Sequence, residues 1–448
     1  MTSRPAVIIL AAGMGTRMKS ALPKVMHPLA GRPMIRHLLA SVEGLDPARV
    51  VVVVGPGMEQ VAKAVAPHAT VVQTERLGTG HAVAQAAAAL ADFEGDALVV
   101  YGDTPLLSTA TLASLLDARS RAAVVVLGFR PEGDNQYGRL VTGPEGLEAI
   151  VEWREAGPEQ RAIALCNSGV MAADRRTLFR LIDQIRNDNA KGEYYLTDVV
   201  ALARAEGLAC GHVEGPAEEL LGVNSRVELA ALEAVVQTGL RRAAMDDGAT
   251  LIAPETVWFS WDTKLGRDVT VHPNVVFGPG VTVADGVEIN AFSHLTGASV
   301  AEGAIIGPYA RLRPGAAIGP NAHIGNFVEI KKATVEEGAK VNHLTYVGDA
   351  RIGARANIGA GTITCNYDGV DKSFTDIGAG AFIGSNSSLV APVKIGDGAV
   401  IGAGSTITRE VAPNALAVAR GNQMELPGWA ERFRARKADD KAKAKSKE

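Results

Sequence analysis

Up to about residue 225, short apolar runs alternate with stretches of helical spacing. Residues 6–10, 50–54, 70–73, 97–101 and 123–128 read as buried strands, and 34–42, 58–66, 79–90 and 109–118 as the helices between them. Near-continuous apolar strands separated by helices predict a mostly parallel sheet covered on both faces, with ligands at the carboxyl ends of its strands. Residues 226–245 have helical spacing and few breakers, and predict a connecting helix within a 226–249 linker.

From about residue 250 the period changes. Val271, Phe277, Val283, Ile289 and Leu295 lie six apart, and after a step of five the series continues through Val300, Ile306, Leu312, Ile318, Ile324 and Ile330. A second five-residue step starts Val335, Val341 and Val347, a third starts Ile352 and Ile358, and beyond a break Ile377, Ile383, Leu389, Ile395, Ile401 and Ile407 resume. Six residues turn an α-helix through about 600°, so no helix gathers these side chains on one face. A coil of three short faces puts them all inside, which predicts a parallel β-helix over 250–431. Gly319, Gly325, Gly384 and Gly402 follow in-phase residues, where the backbone is expected to turn a corner. The polar break at 366–375 predicts a protruding loop facing a ligand or a neighbour, and the Lys/Ala-rich 432–448 a solvated, disordered tail.

At 448 residues the chain is long enough for two domains, here 1–225 and 250–431. Its 47% hydrophobic content is that of a soluble globular protein, and 49 glycines with only 5% aromatics suit tight repetitive turns. A net charge of −4 gives no reason to expect nucleic acid as a partner. Cys166, Cys210 and Cys365 form neither a metal-binding spacing nor an even set for disulfides. The apolar run at the N-terminus is too short for a signal peptide, and no run approaches a membrane span. A cytoplasmic protein is the simplest reading.

The first candidate site follows the first strand: Leu10, Ala11, Ala12, Gly13, Met14, Gly15, Thr16 and Arg17. Small residues there let backbone N–H groups approach phosphate, with Arg17 and Lys24 adding positive charge. The stretch LAAGMGTRM with Leu22-Pro23-Lys24 resembles the signature of sugar-1-phosphate nucleotidylyltransferases, an α/β fold of Rossmann-like type. Further matches follow in family order: Gln73, the 77–82 run, Tyr101-Gly102-Asp103, Tyr137-Gly138-Arg139, Glu152, Asn167-Ser168-Gly169 and Gly222-Val223-Asn224. Residues 192–198 (GEYYLTD) point more narrowly to the uridylyltransferase of bifunctional N-acetylglucosamine-1-phosphate synthesis. That resemblance implies a nucleotide site at Leu10–Gly13, Lys24, Tyr101, Gly102 and Asp103, with Gln73, Gly78 and Thr79 holding uracil. It implies Gly138, Glu152 and Asn167 around the sugar, Mg²⁺ on Asp103 and Asn224, and Arg17 and Lys24 as the catalytic cations. Sugar phosphate and UTP are both anions, so these cations would offset repulsion and stabilise the leaving pyrophosphate.

Four groups depart from the dull repeat: 311–315, 326–332, 342–346 and 362–369. They concentrate cations, a histidine and two tyrosines within about three coils of roughly eighteen residues. This half resembles the glucosamine-1-phosphate acetyltransferase of the same bifunctional family, whose β-helix is left-handed. The resemblance implies Arg313 and Lys331 on the substrate phosphate, with Tyr346, Asn357 and Asn366 around the sugar. His343 would be the general base, suited by an ordinary pKa of about 6.5. Ala360, Tyr367, Ser385, Ala403 and Arg420, with Asn366, would meet acetyl-CoA. Direct transfer needs no acyl-carrying Cys365. Hexapeptide acyltransferases are typically trimers, so a homotrimer with shared sites is expected.

Together these imply an enzyme that acetylates glucosamine 1-phosphate and then couples N-acetylglucosamine 1-phosphate to UTP, giving UDP-N-acetylglucosamine. The competing readings are a nucleotidylyltransferase whose β-helix only assembles or regulates it, and a scaffold with relic sites.

Overall fold

A computed structural model describes residues 4–189 and 191–445. The chain forms two compact units, one running to Ala243 and including Phe259–Trp261, the other Ala244–Trp258 and the chain from Asp262 on.

The first unit is built on strands β1 (Ala6–Leu10), β2 (Arg49–Val54), β3 (Ala69–Val72), β4 (Asp96–Tyr101), β5 (Val124–Phe129), β6 (Arg139–Gly143), β7 (Gly146–Val151), β8 (Cys166–Asp174) and β9 (Cys210–Glu214). Their order is β9-β5-β8-β4-β1-β2-β3, and the β6–β7 hairpin hangs on β8. β1 pairs in parallel with β2 and β4, whereas β8 runs antiparallel between β4 and β5. Alternation along β1 makes two cores. Ile8 and Leu10 join Val51, Val53 and Val99 in one, and Val7 and Ile9 join Val50, Val52, Leu98 and Val100 in the other.

Two expectations change here. The strand at Ala69–Val72 is not buried: it is the sheet edge, paired only with β2, and Val72 is 48% exposed. The helix expected over 79–90 stops as an α-helix at Ala84. The chain then tightens into a 3₁₀ turn, Ala88–Leu90, where Leu90 N–H is shared by the Ala86 and Ala87 carbonyls and its side chain enters the core.

The helix Arg226–Asp246 is largely a wall of the first unit. Leu232 packs with Met18, Leu29, Met34 and Val223. The Glu233 carboxylate accepts from Ala30 N–H (2.8 Å), and fully buried Gln237 both donates to Phe259 O (2.7 Å) and accepts from Phe259 N–H (2.8 Å).

The second unit is a parallel β-helix. Ile306 pairs with Ile324, Leu312 with Ile330 and Ile383 with Ile401, each eighteen residues on, while Ile318 pairs with Val335, seventeen on. Every in-phase residue named above is at most 5% exposed. Each five-residue step crosses its corner through one left-handed residue, Gly297, Lys332 or Asp349, followed by a buried alanine.

The corner glycines serve a different purpose from the one expected. Gly319, Gly325, Gly384 and Gly402 do not have positive φ. A Cβ on Gly325 would lie 2.0 Å from Asn342 O of the next coil, and one on Gly384 2.4 Å from Ala403 N. They are small because stacked coils nearly touch there.

The 366–375 break is a loop tied by its own turn: the Asp368 carboxylate accepts from the N–H groups of Val370 (2.8 Å) and Asp371 (2.7 Å). The tail expected to be disordered over 432–448 is helical as far as Lys445, in a helix Trp429–Lys445 exposed from Trp429 to Lys443, and its last three positions lie outside the described residues. Its Ala, Lys, Arg and Glu are strong helix formers, and Trp429 stacks on Phe433 one turn later, with centroids 5.0 Å apart. Among the described residues no helix is long and apolar enough to cross a membrane.

Ile324 is fully buried and Ile363 is 45% exposed. Ile324→Ala is expected to destabilise the β-helix by about 2–5 kcal/mol and Ile363→Ala by about 0.5 kcal/mol or less, read from urea unfolding midpoints.

Candidate active sites

At the carboxyl ends of β1 and β4 the first unit opens into a cavity of about 570 Å³. Twelve of the expected residues line it: Leu10, Ala11, Ala12, Gly13, Lys24, Gln73, Gly78, Thr79, Tyr101, Asp103, Glu152 and Asn167. Four do not. Gly102 lies behind the wall, its N–H donating to Leu10 O (3.0 Å). Gly138 backs Asn167, whose N–H donates to its carbonyl (2.8 Å). Asn224 is reached through Lys24, and Arg17 is exposed on the short turn Thr16–Met18. The cavity adds residues not singled out from the sequence, among them Arg76, Trp153, Lys191 and Thr197. Thr197 lies within the quoted GEYYLTD motif and Lys191 directly precedes it; Arg76 and Trp153 carried no signal beyond lying near quoted residues.

Close backbone approach shapes this site. A side chain on Gly15 (φ 64°) would strike Lys24 Cβ at 2.6 Å, and one on Gly78 (φ 105°) would strike Tyr194 O at 2.6 Å. Gly78 O in turn accepts from Gln73 Nε2 (3.1 Å), fixing the orientation of the buried Gln73 amide.

Lys24 Nζ forms an ion pair with Asp103 and donates to Asn224 Oδ1 (3.2 Å). An ammonium thus sits between the two expected metal ligands. Among the described residues no cluster of three or more acidic, His or Cys side chains could hold a metal. One carboxylate and one amide oxygen still suit Mg²⁺, which takes few protein ligands and completes its shell with water and phosphate oxygens. Burial holds the Glu152 carboxyl above the usual range, against the Thr197 hydroxyl, which donates at 3.4 Å. Burial, then Glu155 and Glu152, raises Asp198 in the same way.

On the β-helix the out-of-pattern residues fall into two groups. In the first, Arg313 pairs with Glu329 (2.7 Å), and Asn366 donates to Asp349 Oδ2 (2.5 Å). Lys331 stands beside Lys372, which the 366–375 loop brings back through its Tyr367–Lys372 bridge. The Lys372 ammonium, then desolvation and Arg313, hold Lys331 below the usual lysine value. Lys372 was not among the expected residues; its only signal in sequence was its place in a loop that breaks the repeat. Like charges held together can attract an anion.

The second group is a column, one position per coil. Asn326 pairs with His343, Gly361 N–H donates to His343 O (3.2 Å), and Asn386 N–H donates to Ala360 O (2.7 Å). Gly404 N–H donates to Ser385 O (2.8 Å), and Arg420 Nη1 donates to Ala403 O (2.7 Å). His343, Ala360, Ser385, Ala403 and Arg420 therefore follow one another along the solenoid. The exposed His343 ring has Nδ1 2.8 Å from Asn326 Oδ1, which as an acceptor keeps the proton on Nδ1 and leaves Nε2 free to accept one. Tyr346 pairs with Glu329 and Ile363, and its hydroxyl would clash with any side chain on Gly348. Asn357 pairs with Lys340 and Phe382 on another face. Exposed Tyr367 donates to Gly369 O (2.6 Å), and Cys365 Sγ lies 4.0 Å from the Ile363 carbonyl.

Residues 7–193 match the MobA-like NTP transferase domain family. Residues 262–297, 297–332 and 374–409 match the bacterial transferase hexapeptide family. The chain is 70% identical over 445 residues to the bifunctional protein GlmU of Paramagnetospirillum magneticum, covering 99% of both chains. It is 67% identical over 436 residues to that of Rhodospirillum rubrum (97% and 98% covered) and 54% over 438 residues to that of Zymomonas mobilis (96% and 97% covered).

Because burial raises Glu152, the folded chain holds that proton more tightly than the unfolded chain. The resulting stability is present below the unfolded carboxyl value of about 4.3 and is lost as pH rises through the raised folded value. Glu152→Gln is therefore expected to unfold at a higher temperature than the unaltered protein at about pH 8, with the gain vanishing near pH 4, as read by thermal melts at both.

Proposed function

The chain belongs to the family of bifunctional GlmU proteins, and from that membership we propose how its own residues divide the work. It is a bifunctional transferase that makes UDP-N-acetylglucosamine, by acetyl transfer from acetyl-CoA to glucosamine 1-phosphate and by uridylyl transfer from UTP to N-acetylglucosamine 1-phosphate.

The acetyl acceptor sits on the β-helix, its phosphate held by Arg313, Lys331 and Lys372 and its sugar by Tyr346 and Asn357. His343 Nε2 takes the proton from the amine as its nitrogen attacks the thioester carbonyl, and the C–S bond breaks to release CoA. Asn326 supports this role by binding Nδ1 (2.8 Å). Acetyl-CoA lies along the column from Ala360 to Arg420, with Asn366 and Tyr367 beside it. A ligand of that length fits a groove that repeats one position per coil.

The acetylated product then enters the cavity of the first unit. Glu152 and Asn167 hold its sugar, with Gly138 behind them, while Gln73, Gly78 and Thr79 hold uracil. The sugar phosphate attacks the α-phosphorus in line, and pyrophosphate leaves. Mg²⁺ on Asp103 and Asn224 would neutralise charge on the phosphates. Lys24 contributes a fixed cation at the same place, and exposed Arg17 follows the substrate-binding loop, from which its long side chain folds over the phosphates on binding.

We also propose a homotrimer. An exposed apolar ladder supports it: Phe292, Tyr309, Phe327 and Leu344 occupy one corner on four successive coils, with ring centroids 4.9 and 5.1 Å apart. Phe327 and Leu344 directly follow Asn326 and His343, so a second copy packed on the ladder would wall the acetyl-transfer site. We place the work in the cytoplasm, where the three free cysteines stay reduced.

The observation that carries the two-reaction reading is the column ending at an oriented His343, which a scaffold does not need. His343→Ala is expected to lower CoA release with glucosamine 1-phosphate by about a hundredfold or more while leaving pyrophosphate formation from UTP unchanged. Unchanged CoA release would remove His343 as the base. Chelation by EDTA is expected to do the reverse, stopping pyrophosphate formation and sparing CoA release; both products are measured in the same sample.

A further inference from the structure

Arg139 begins β6 and is only 4% exposed. Neither half-reaction above employs it. Its Nη1 donates to Tyr137 O (2.6 Å) and Asn135 Oδ1 (2.8 Å) and reaches Cys166 Sγ at 3.2 Å, while Nε donates to Arg161 O (3.3 Å). Among the described residues none of its partners is a carboxylate. The guanidinium instead lies 4.5 Å from the centroid of the Trp153 ring, which Arg161 also approaches, at 5.0 Å. A buried cation without a counter-ion costs several kcal/mol in general, and such a group persists where it organises something else.

What surrounds Arg139 is the sugar side of the cavity. Trp153 lines it next to Glu152. Tyr137 precedes Gly138, whose carbonyl takes the Asn167 N–H, and Cys166 precedes Asn167. One planar fork thus joins the 135–138 segment, Trp153 just beyond the end of β7, and Cys166 at the start of β8.

We propose that Arg139 is a positioning residue for the sugar phosphate: through Trp153 and the 135–138 backbone it sets Glu152 and Asn167 at their working separation. It touches neither substrate. Lysine cannot replace it, because an ammonium offers neither the planar fork nor the face that stacks on an indole. The uracil side, Gln73 and Gly78, is held by its own hydrogen bond and has no part in this arrangement.

The inference rests on the reading that this cavity takes N-acetylglucosamine 1-phosphate, and one experiment separates the two. Pyrophosphate formation by the unaltered full-length protein tests the reading; its absence there would remove the substrate, not the role of Arg139. In Arg139→Lys the KM for N-acetylglucosamine 1-phosphate is expected to rise about tenfold, the size of a lost stacked cation and its fork, with the KM for UTP within about twofold. CoA release with glucosamine 1-phosphate, made on the other unit of the same chain, is expected to stay unchanged. Trp153→Leu keeps the charge and removes the stack, and is expected to give the same selective rise; it carries the test if Arg139→Lys does not fold. A folded variant in which the sugar-phosphate KM stays put, or in which both KM values rise together, would overturn the positioning role.

Discussion

Parallel strand pairing is the constraint on which both units depend. When neighbouring strands run the same way, equivalent points of successive repeats come to lie side by side. In the first unit this gathers the ends of β1 and β4 at one edge, where Gly13, Lys24, Tyr101 and Asp103 meet although about ninety positions separate them in sequence. In the second unit the same rule turns a period of seventeen or eighteen residues, lengthened once by the 366–375 loop, into a column from Asn326 and His343 to Arg420. The antiparallel β8 is the exception in the sheet, and it delivers Asn167 to the cavity from the opposite direction.

Stacking at strand spacing leaves little room, and the small residues record that. Gly325 and Gly384 sit where a Cβ would fall inside the next coil's backbone, and Gly78 where one would meet Tyr194 O. A tight scaffold also holds like charges and unpaired cations where solution would separate them. Lys331 beside Lys372 and Arg139 against Trp153 are two versions of this, and Lys24 is likewise held in place, as a paired cation between Asp103 and Asn224. In each the backbone keeps charge in place before a ligand arrives, so little reorganisation remains when it binds.

Much of this was legible in the residues. The in-phase series from Val271 to Ile407 named the interior of the β-helix, because a six-residue period admits only one side of the coil as core. The motifs around Gly13, Gln73 and Glu152 named most of the first cavity's lining. Missed features were those set by distant neighbours. Ala69–Val72 reads as a buried strand until its place at the sheet edge is known. Lys372 and Trp153 had no local pattern to distinguish them, since each gains its significance from a partner, Lys331 or Arg139, well away in sequence.

Sequence by itself determined the two folds, the phase of every inward residue and the motifs that carry chemistry. Those depend on periodicity and on residue types at fixed local spacing. Tertiary structure alone decided that the corner glycines answer crowding and not turn geometry, and that the 226–246 helix is mostly part of the first unit. It also decided which charges face each other across coils. Such features depend on distances between segments far apart along the chain, and a local pattern cannot encode a contact whose partner arrives only when the coil closes.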